Sequence, residues 1–393
     1  MTTVVLLYDK LTFSDDAASV HHILRKAGIT MIGHSDIREP PVESDIQIHI
    51  CIPVYSAVSW SHKNILLVRS DQWSPAYDAY RHAFHTYDIS ALPKDIQAIP
   101  KEIYDQFHEI LHVEPSTKKR GTPILQIADC PFISVITPTY HRANLIDIAF
   151  HNLLSTDYPK EKIEWIVVED TGTKGTISTP NGEDTGTTSS EEKDKMATDK
   201  IINFQVLAPT ISVKYIPLEG HLSIGTKRNI GVTHATHEII LFMDDDDHYP
   251  VTSFRRRVAW IQASDKASTK SIVCCTTLPL YDLKSGASAV SVPPFHLPLS
   301  QRISEATLTF KKSAWEARPF SEVSIAEGES WIDGRESQVI EIPPQQIIVS
   351  FSHGANQSSR IVPSGTSPSC FWGFPMEYLQ FIHGLAGVSI STP

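Results

Sequence analysis

Apolar and polar positions alternate along this chain with two different periods, and the switches between them mark its elements. VVLLY (4–8) is a β-branched run that predicts a strand, after which Val20, Ile23, Leu24 and Ala27 recur at helical spacing until Gly28 supplies a stop. IQIHICI (46–52) alternates with period two, and NILLV (64–68) is an unbroken run of the buried-strand type. Pro100 then opens a helix in which Ile103, Phe107, Ile110 and Leu111 share one face. Strands separated by helices predict a parallel sheet, so residues 1–115 read as a small Rossmann-like α/β accessory domain. They contain no G-x-G-x-x-G turn and hence no dinucleotide fingerprint.

VEPSTKKRGTP (113–123) is polar and turn-rich, which places a linker at 116–130 and a second α/β domain at 131–393. In that domain a strand runs from Phe132 to Thr137, where Pro138 is expected to end it, and a helix follows with Leu145, Ile148, Ala149 and Leu153 on one face. IEWIVVED (163–170) is a strand ending on two carboxylates. The next segment, 171–200, is almost free of large apolar residues and cannot offset its ordering entropy, so it reads as a mobile polar insertion, either a lid or a passive loop. VKYIP (213–217) is a strand, a helix starts at Ile224, and EIILFM (238–243) is a strong apolar strand. SFRRRVAWI is helical in pattern, SIVCCTTLPLYDL, ASAVSV and ATLTF are strand-like, and AEGESWIDGR opens a short helix.

Composition narrows the function. With 393 residues, 41% hydrophobic and 20% charged, the chain is globular and long enough for two domains. A net charge of -11 argues against nucleic-acid binding, which needs clustered Lys and Arg. No apolar run reaches the roughly 18 residues that span a bilayer, and the N-terminus reads as a strand rather than a signal peptide, so a cytoplasmic location is expected. Five scattered cysteines form no C-x-x-C pair and no disulfide framework, and Cys274 and Cys275 lie in an apolar run as structural thiols.

The candidate chemistry gathers at FMDDDDHYP (242–250), four carboxylates directly behind an apolar strand. In an extended segment Asp244 and Asp246 share one side and Asp245 and Asp247 the other. Carboxylates this close raise one another's pKa unless a cation compensates, and oxygen ligands suit Mg²⁺ or Mn²⁺. A solvated acidic turn is the alternative, but the apolar strand before it fixes the cluster at a sheet edge, where ligands of open α/β sheets bind.

Several segments in this order resemble glycosyltransferase family 2, over roughly residues 131–365. ISVITPTYHR is similar to that family's first strand and nucleotide-facing loop, and WIVVEDTG to its second strand. GTKRNIGVTHATHEIILFMDDDDHYP is similar to its K/R-N-x-G helix and D-x-D strand, and AEGESWIDGR stands at its acidic base motif. The resemblance implies a GT-A nucleotide-diphospho-sugar transferase sandwich with a mixed, mostly parallel sheet. It also implies a metal-dependent inverting transfer of a sugar, from a UDP-sugar by preference, to the hydroxyl of a glycan, glycolipid or protein acceptor. By the same resemblance Pro138, Tyr140, Arg142, Asp170, Lys227, Arg228, Asn229, Asp244 and Asp245 bind the nucleotide-sugar, and Asp244, Asp246 and His353 hold Mn²⁺ or Mg²⁺.

An inverting transfer needs a general base. Glu329 stands first for it, Glu327 second and Asp333 third, because the family's Glu-Asp is Glu329-Ser330 in this chain. His248, although adjacent to the cluster, is expected to point past it. Two other functions fit parts of the pattern: a silent sugar- or partner-binding module, kept open by Ser330, and a sugar-phosphate nucleotidyltransferase, disfavoured because TPTYHRAN lacks a Gly-rich loop. The first 115 residues are open to acceptor binding, homodimer formation or a second transferase-like role.

Overall fold

The computed structural model describes residues 3–37, 44–51, 61–69, 85–93, 95–112, 123–170, 196–265, 270–293, 297–344, 346–353, 362 and 373–388. Most of the expected insertion at 171–200 and part of the expected linker at 116–130 lie outside them. The chain divides into two units, Met1–Thr122 and Pro123–Pro393.

The first unit contains β1 (Thr3–Tyr8), β2 (Met31–Asp36), β3 (Ser44–Ile50), β4 (Ser61–Val68) and β5 (His85–Asp88) in the order β2-β1-β3-β4-β5. Every pairing is parallel, as strands alternating with helices require. Helix Ser14–Lys26 buries Val20, Ile23 and Leu24, and Gly28 at φ +86° turns the chain where a side chain would be strained. The period-two reading of β3 is corrected here. Gln47 and His49 are as buried as Ile46, Ile48 and Ile50, because a central parallel strand has both faces covered. β2 (MIGHSD) and β5 (HTYD) carry no apolar pattern and lie at the two edges of the sheet.

The second unit begins with β6 (Ile133–Thr139), β7 (Ile163–Asp170), β8 (Ser212–Leu218) and β9 (Ile239–Phe242). It continues with β10 (Ile272–Cys275), β11 (Leu278–Asp282), β12 (Ser288–Ser291), β13 (Ser304–Lys311), β14 (Val339–Glu341) and β15 (Ser350–Ser352). Seven of these form a sheet in the order β14-β10-β13-β9-β6-β7-β8, in which only β13 runs against the rest. A smaller sheet, β12-β11-β15, packs its Tyr281 and Phe351 against Tyr378, Leu379 and Ile382 of helix Met376–Leu385.

Pro138 does not end β6, which continues to Thr139. The pairing of β6 with β9 stops at Ile136–Phe242, so at Pro138 no donor is needed on that side. Helix Ile224–His234 lies close on the sheet, since a Cβ at Gly231 would stand 2.4 Å from Ile136 Cγ2. Beneath it Ile136, Phe242, Phe310, Phe320 and Trp331 form a dense core. Because β6, β7 and β9 run the same way, Thr139, Asp170 and the aspartate run all emerge at one sheet edge.

Candidate active site

The first contribution to that edge comes from the loop after β6. His141 takes the left-handed conformation at φ +48° and stacks on Tyr140, with ring centroids 4.3 Å apart. This turn brings Arg142 back over the aspartates. The second comes from helix Ile224–His234, where Ser223 caps the N-terminus by accepting from Thr226 N at 3.1 Å. Only glycine fits at 225, because a Cβ there would stand 1.9 Å from the Ser321 carbonyl oxygen. That close approach turns Lys227 and Arg228, both buried, toward the sheet edge rather than to solvent.

Lys227 Nζ donates to Asp170 Oδ1 at 2.7 Å and to the Thr139 carbonyl at 3.0 Å. The other oxygen of Asp170 accepts from Leu222 N at 2.7 Å, with His221 Nδ1 at 3.3 Å. Tyr140 and His221 form an aromatic pair beside this knot, at 4.8 Å. Arg228 Nη2 lies 3.2 Å from Asp244 Oδ1, and its Nε lies 2.7 Å from Glu327 Oε1.

β9 stops at Phe242, so the four aspartates lie in a turn and not in an extended strand. The expected alternation of sides is therefore corrected, for it is Asp245 and Asp246 that share a partner. Arg142 Nη1 is 3.1 Å from Asp245 Oδ1 and 2.6 Å from Asp246 Oδ2. Thr139 Oγ1 donates to the other oxygen of Asp245. His353 Nε2 lies 3.0 Å from Asp246 Oδ2. Asp247 turns the opposite way and accepts from Phe351 N at 3.0 Å.

Burial alone would push all four carboxyls above the usual range, because it penalises the anion. Asp244 rises to about 6 by burial, with Arg228 opposing. Asp245 is raised by burial against the pull of Arg142. Asp247 goes well above its ordinary value, first from burial and then from Asp246 and Asp244. Asp246 alone is lowered, since Arg142 and His353 together outweigh its burial. Within the run, Asp246 is the carboxylate whose surroundings favour the anion.

The remaining candidates separate clearly. Asn229 Oδ1 accepts from Trp315 Nε1 at 2.8 Å and Phe320 N at 3.0 Å, and its Nδ2 donates to the Phe320 carbonyl at 2.9 Å, so this amide ties the helix to the chain behind it. Pro138 is part of β6. Glu327 is buried at the edge, whereas Glu329 Oε1 accepts from Gln301 Nε2 at 2.7 Å in an exposed contact, and Asp333 is exposed. His248 Nδ1 meets the Tyr378 hydroxyl at 2.8 Å, away from the carboxylates.

Several supporting residues gave no signal in the sequence. Asn152 donates to the Asp247 carbonyl at 2.8 Å and accepts from Tyr249 N at 3.0 Å, clamping the exit of the turn. The Tyr249 hydroxyl accepts from Asp244 N and donates to the Ala306 carbonyl, both at 3.0 Å. Fully buried Arg257 donates to the Phe242 and Leu308 carbonyls at 2.9 and 2.6 Å, fixing the strand that leads into the turn. Burial pushes its guanidinium down to about 10. The Arg of SFRRRVAWI shows only a helical pattern in sequence; what it holds is set by tertiary contact.

Among the described residues no three His, Cys, Asp or Glu side chains are grouped so as to hold a metal ion by themselves. The pair Asp246 and His353 nonetheless has the right donors, a carboxylate oxygen and an imidazole nitrogen facing each other at 3.0 Å. Mg²⁺ and Mn²⁺ commonly take few protein ligands and complete their shell with water and substrate phosphates, so these donors fit such an ion as part of a shared site.

Residues 199–295 match the family model described as glycosyl transferase family 2, and the helix with Lys227 and Arg228 and the whole aspartate turn lie within the matched residues. Among solved structures, a mannosyltransferase PcManGT from Pyrobaculum calidifontis in complex with GDP-Man and Mn²⁺ is 18% identical, with a TM-score of 0.40 over 59% of this chain and 60% of that one. S. aureus TarS 1-349 in complex with UDP-GlcNAc is 17% identical, with a TM-score of 0.39 over 59% of this chain and 62% of that one. The match thus spans about three fifths of the length of each of these structures. No curated protein matches the chain.

Proposed function

We propose that the second unit is a GT-A, metal-dependent inverting glycosyltransferase that moves a sugar from a nucleotide-diphosphate donor, UDP-sugar by preference, to an acceptor hydroxyl. The observation that supports this most is the convergence of Arg142, Lys227 and Arg228 with Asp244, Asp245 and Asp246 at the carboxyl edge of one sheet. A diphosphate brings negative charge to a place already furnished with three cations, and Asp170 beside Tyr140 suits contacts to base or ribose. Asp246 and His353 would hold Mn²⁺ or Mg²⁺, with Asp244 nearby. When bound, such an ion supplies Lewis-acid stabilisation of the departing diphosphate.

The acceptor's proton needs a carboxylate within reach of the sugar. Glu327 is the better placed of the two glutamates, because it shares Arg228 with Asp244, while Glu329 is held at the surface by Gln301. Arg228 therefore orients the base and the donor-side carboxylate together.

The test is Mn²⁺-dependent hydrolysis or transfer of UDP-sugars by the full chain, compared with Asp246→Asn and Glu327→Gln. Each substitution is expected to lower kcat by at least about 100-fold, the lower end of the range for a general base or a preorganised charge. Undiminished rates in both variants overturn the reading. A thermal-shift screen of UDP, GDP, CDP and dTDP with Mn²⁺ identifies the base, since ligands of the native state raise its apparent stability.

A further inference from the structure

A cavity of about 500 Å³ in the second unit is lined by Ser271, Ser313, Arg318, Arg335 and Gln338. Ser271 and Gln338 directly precede β10 and β14, which run in the same direction as β9. The cavity therefore lies at the sheet edge opposite the aspartate turn.

Its chemistry is that of an unanswered positive charge. Arg335 is only 6% exposed, and its guanidinium lies over the Trp331 ring at 5.1 Å. Nη2 donates to the Ala314 carbonyl at 2.8 Å and to Gln338 Oε1 at 3.3 Å, but Nη1 is buried with no hydrogen-bond partner. The second arginine, Arg318, donates to the Ser330 and Asp333 carbonyls at 2.9 and 2.8 Å. Among the described residues neither guanidinium has a carboxylate in ion-pair contact; burial and the charge of Arg318 together push Arg335 below its usual value. Glu238 and Glu336 approach the rim, but they accept from Ser313 Oγ at 2.9 Å and Gly334 N at 3.2 Å.

Leaving a buried N–H of a charged group unsatisfied is strongly unfavourable, and so is holding two cations together without an anion. A ligand that answers the paired charge is a tetrahedral oxyanion, which guanidinium forks bind through paired, charge-assisted hydrogen bonds. The Ser271 hydroxyl adds a neutral donor, and the volume admits a phosphate with a small group attached. We infer that this cavity binds a phosphate dianion, free or as a phosphomonoester, independently of the nucleotide-facing edge.

The experiment is calorimetric titration of the metal-free full chain with inorganic phosphate and with glycerol 3-phosphate, at constant ionic strength and pH 7.5. Wild type, Arg318→Gln, Arg335→Gln and Arg142→Gln are compared. The expected result is single-site binding of one or both probes, weakened by about tenfold or more in Arg318→Gln, the loss of one charge-assisted contact. Arg142→Gln, at the other edge, should bind as wild type does. Tighter binding of glycerol 3-phosphate identifies an ester ligand, and equal or weaker binding identifies free phosphate. Should Arg335→Gln fail to fold, the exposed Arg318 arm decides. No binding of either probe, binding unchanged in Arg318→Gln, or binding lost in Arg142→Gln instead overturns the inference.

Discussion

Arg142 and Asp246 meet at 2.6 Å although 104 residues separate them in sequence, and the same guanidinium nitrogen reaches Asp245 at 3.1 Å. One cation thus stands between two carboxylates that burial would otherwise protonate. Replacing Arg142 with Gln should destabilise the metal-free chain by about 2–3 kcal/mol, below the range for fully buried pairs because Arg142 is partly exposed. Urea denaturation measures the loss. Adding Mn²⁺ should restore part of it; a variant as stable as wild type without metal would show that the pair carries no stability.

Lys227 and Asp170 are both almost inaccessible to solvent. Lys227→Met should therefore cost about 3–5 kcal/mol by leaving Asp170 buried without its cation. The double variant Lys227→Met with Asp170→Asn should lose less than the sum of the single losses, because it removes both charges. Additive losses in that cycle refute the coupling.

Gly225 has the Ser321 carbonyl where a Cβ would go, and its N–H donates to the Val323 carbonyl at 3.0 Å. Gly225→Ala should push the 321–323 segment off the helix and cost about 1–3 kcal/mol as an overpacking defect. Thermal denaturation of the variant gives the number, and an unchanged Tm contradicts the close approach.

His49 in the first unit is wholly buried, and burial pushes its imidazole down to about 3 against a hydrogen bond with Asn64 that raises it. Its folded value lies below its unfolded value, so the unfolded state binds more protons between about pH 6.5 and pH 3. Stability of the first unit should fall with acidification across that window, by about 1.4 kcal/mol per pH unit for one proton. His49→Gln should flatten the slope by that amount, read by hydrogen exchange of β3 in the full chain. An unaltered slope would assign the acid sensitivity to other groups.

The strands with long apolar runs, β1, β4, β7 and β9, were legible because burial on both faces leaves an unbroken hydrophobic signature. The helix from Ile224 was legible between its two flanking strands, whereas its Ser223 cap was not read. β2, β5 and β14 were not, since short segments take their conformation from a neighbour's ladder more than from their own side chains. The aspartate run announced a charged sheet edge, but not how its members divide. That division depends on Arg142, Arg228, His353 and Phe351, which sequence distance hides. Asn152, Tyr249 and Arg257 were invisible for the same reason: each is an ordinary helix or turn residue until the fold places a carbonyl or amide in front of it.

The contact between Asp246 and His353 closes a loop of 107 residues, and the one between Arg142 and Asp246 closes another of 104. Such closures come late in folding, since chain entropy is lost before the contact repays it. Recovery of the proposed transferase activity after dilution from denaturant would therefore trail the return of helical signal. The lag between the two would time the moment when distant parts of the chain finally agree on one place.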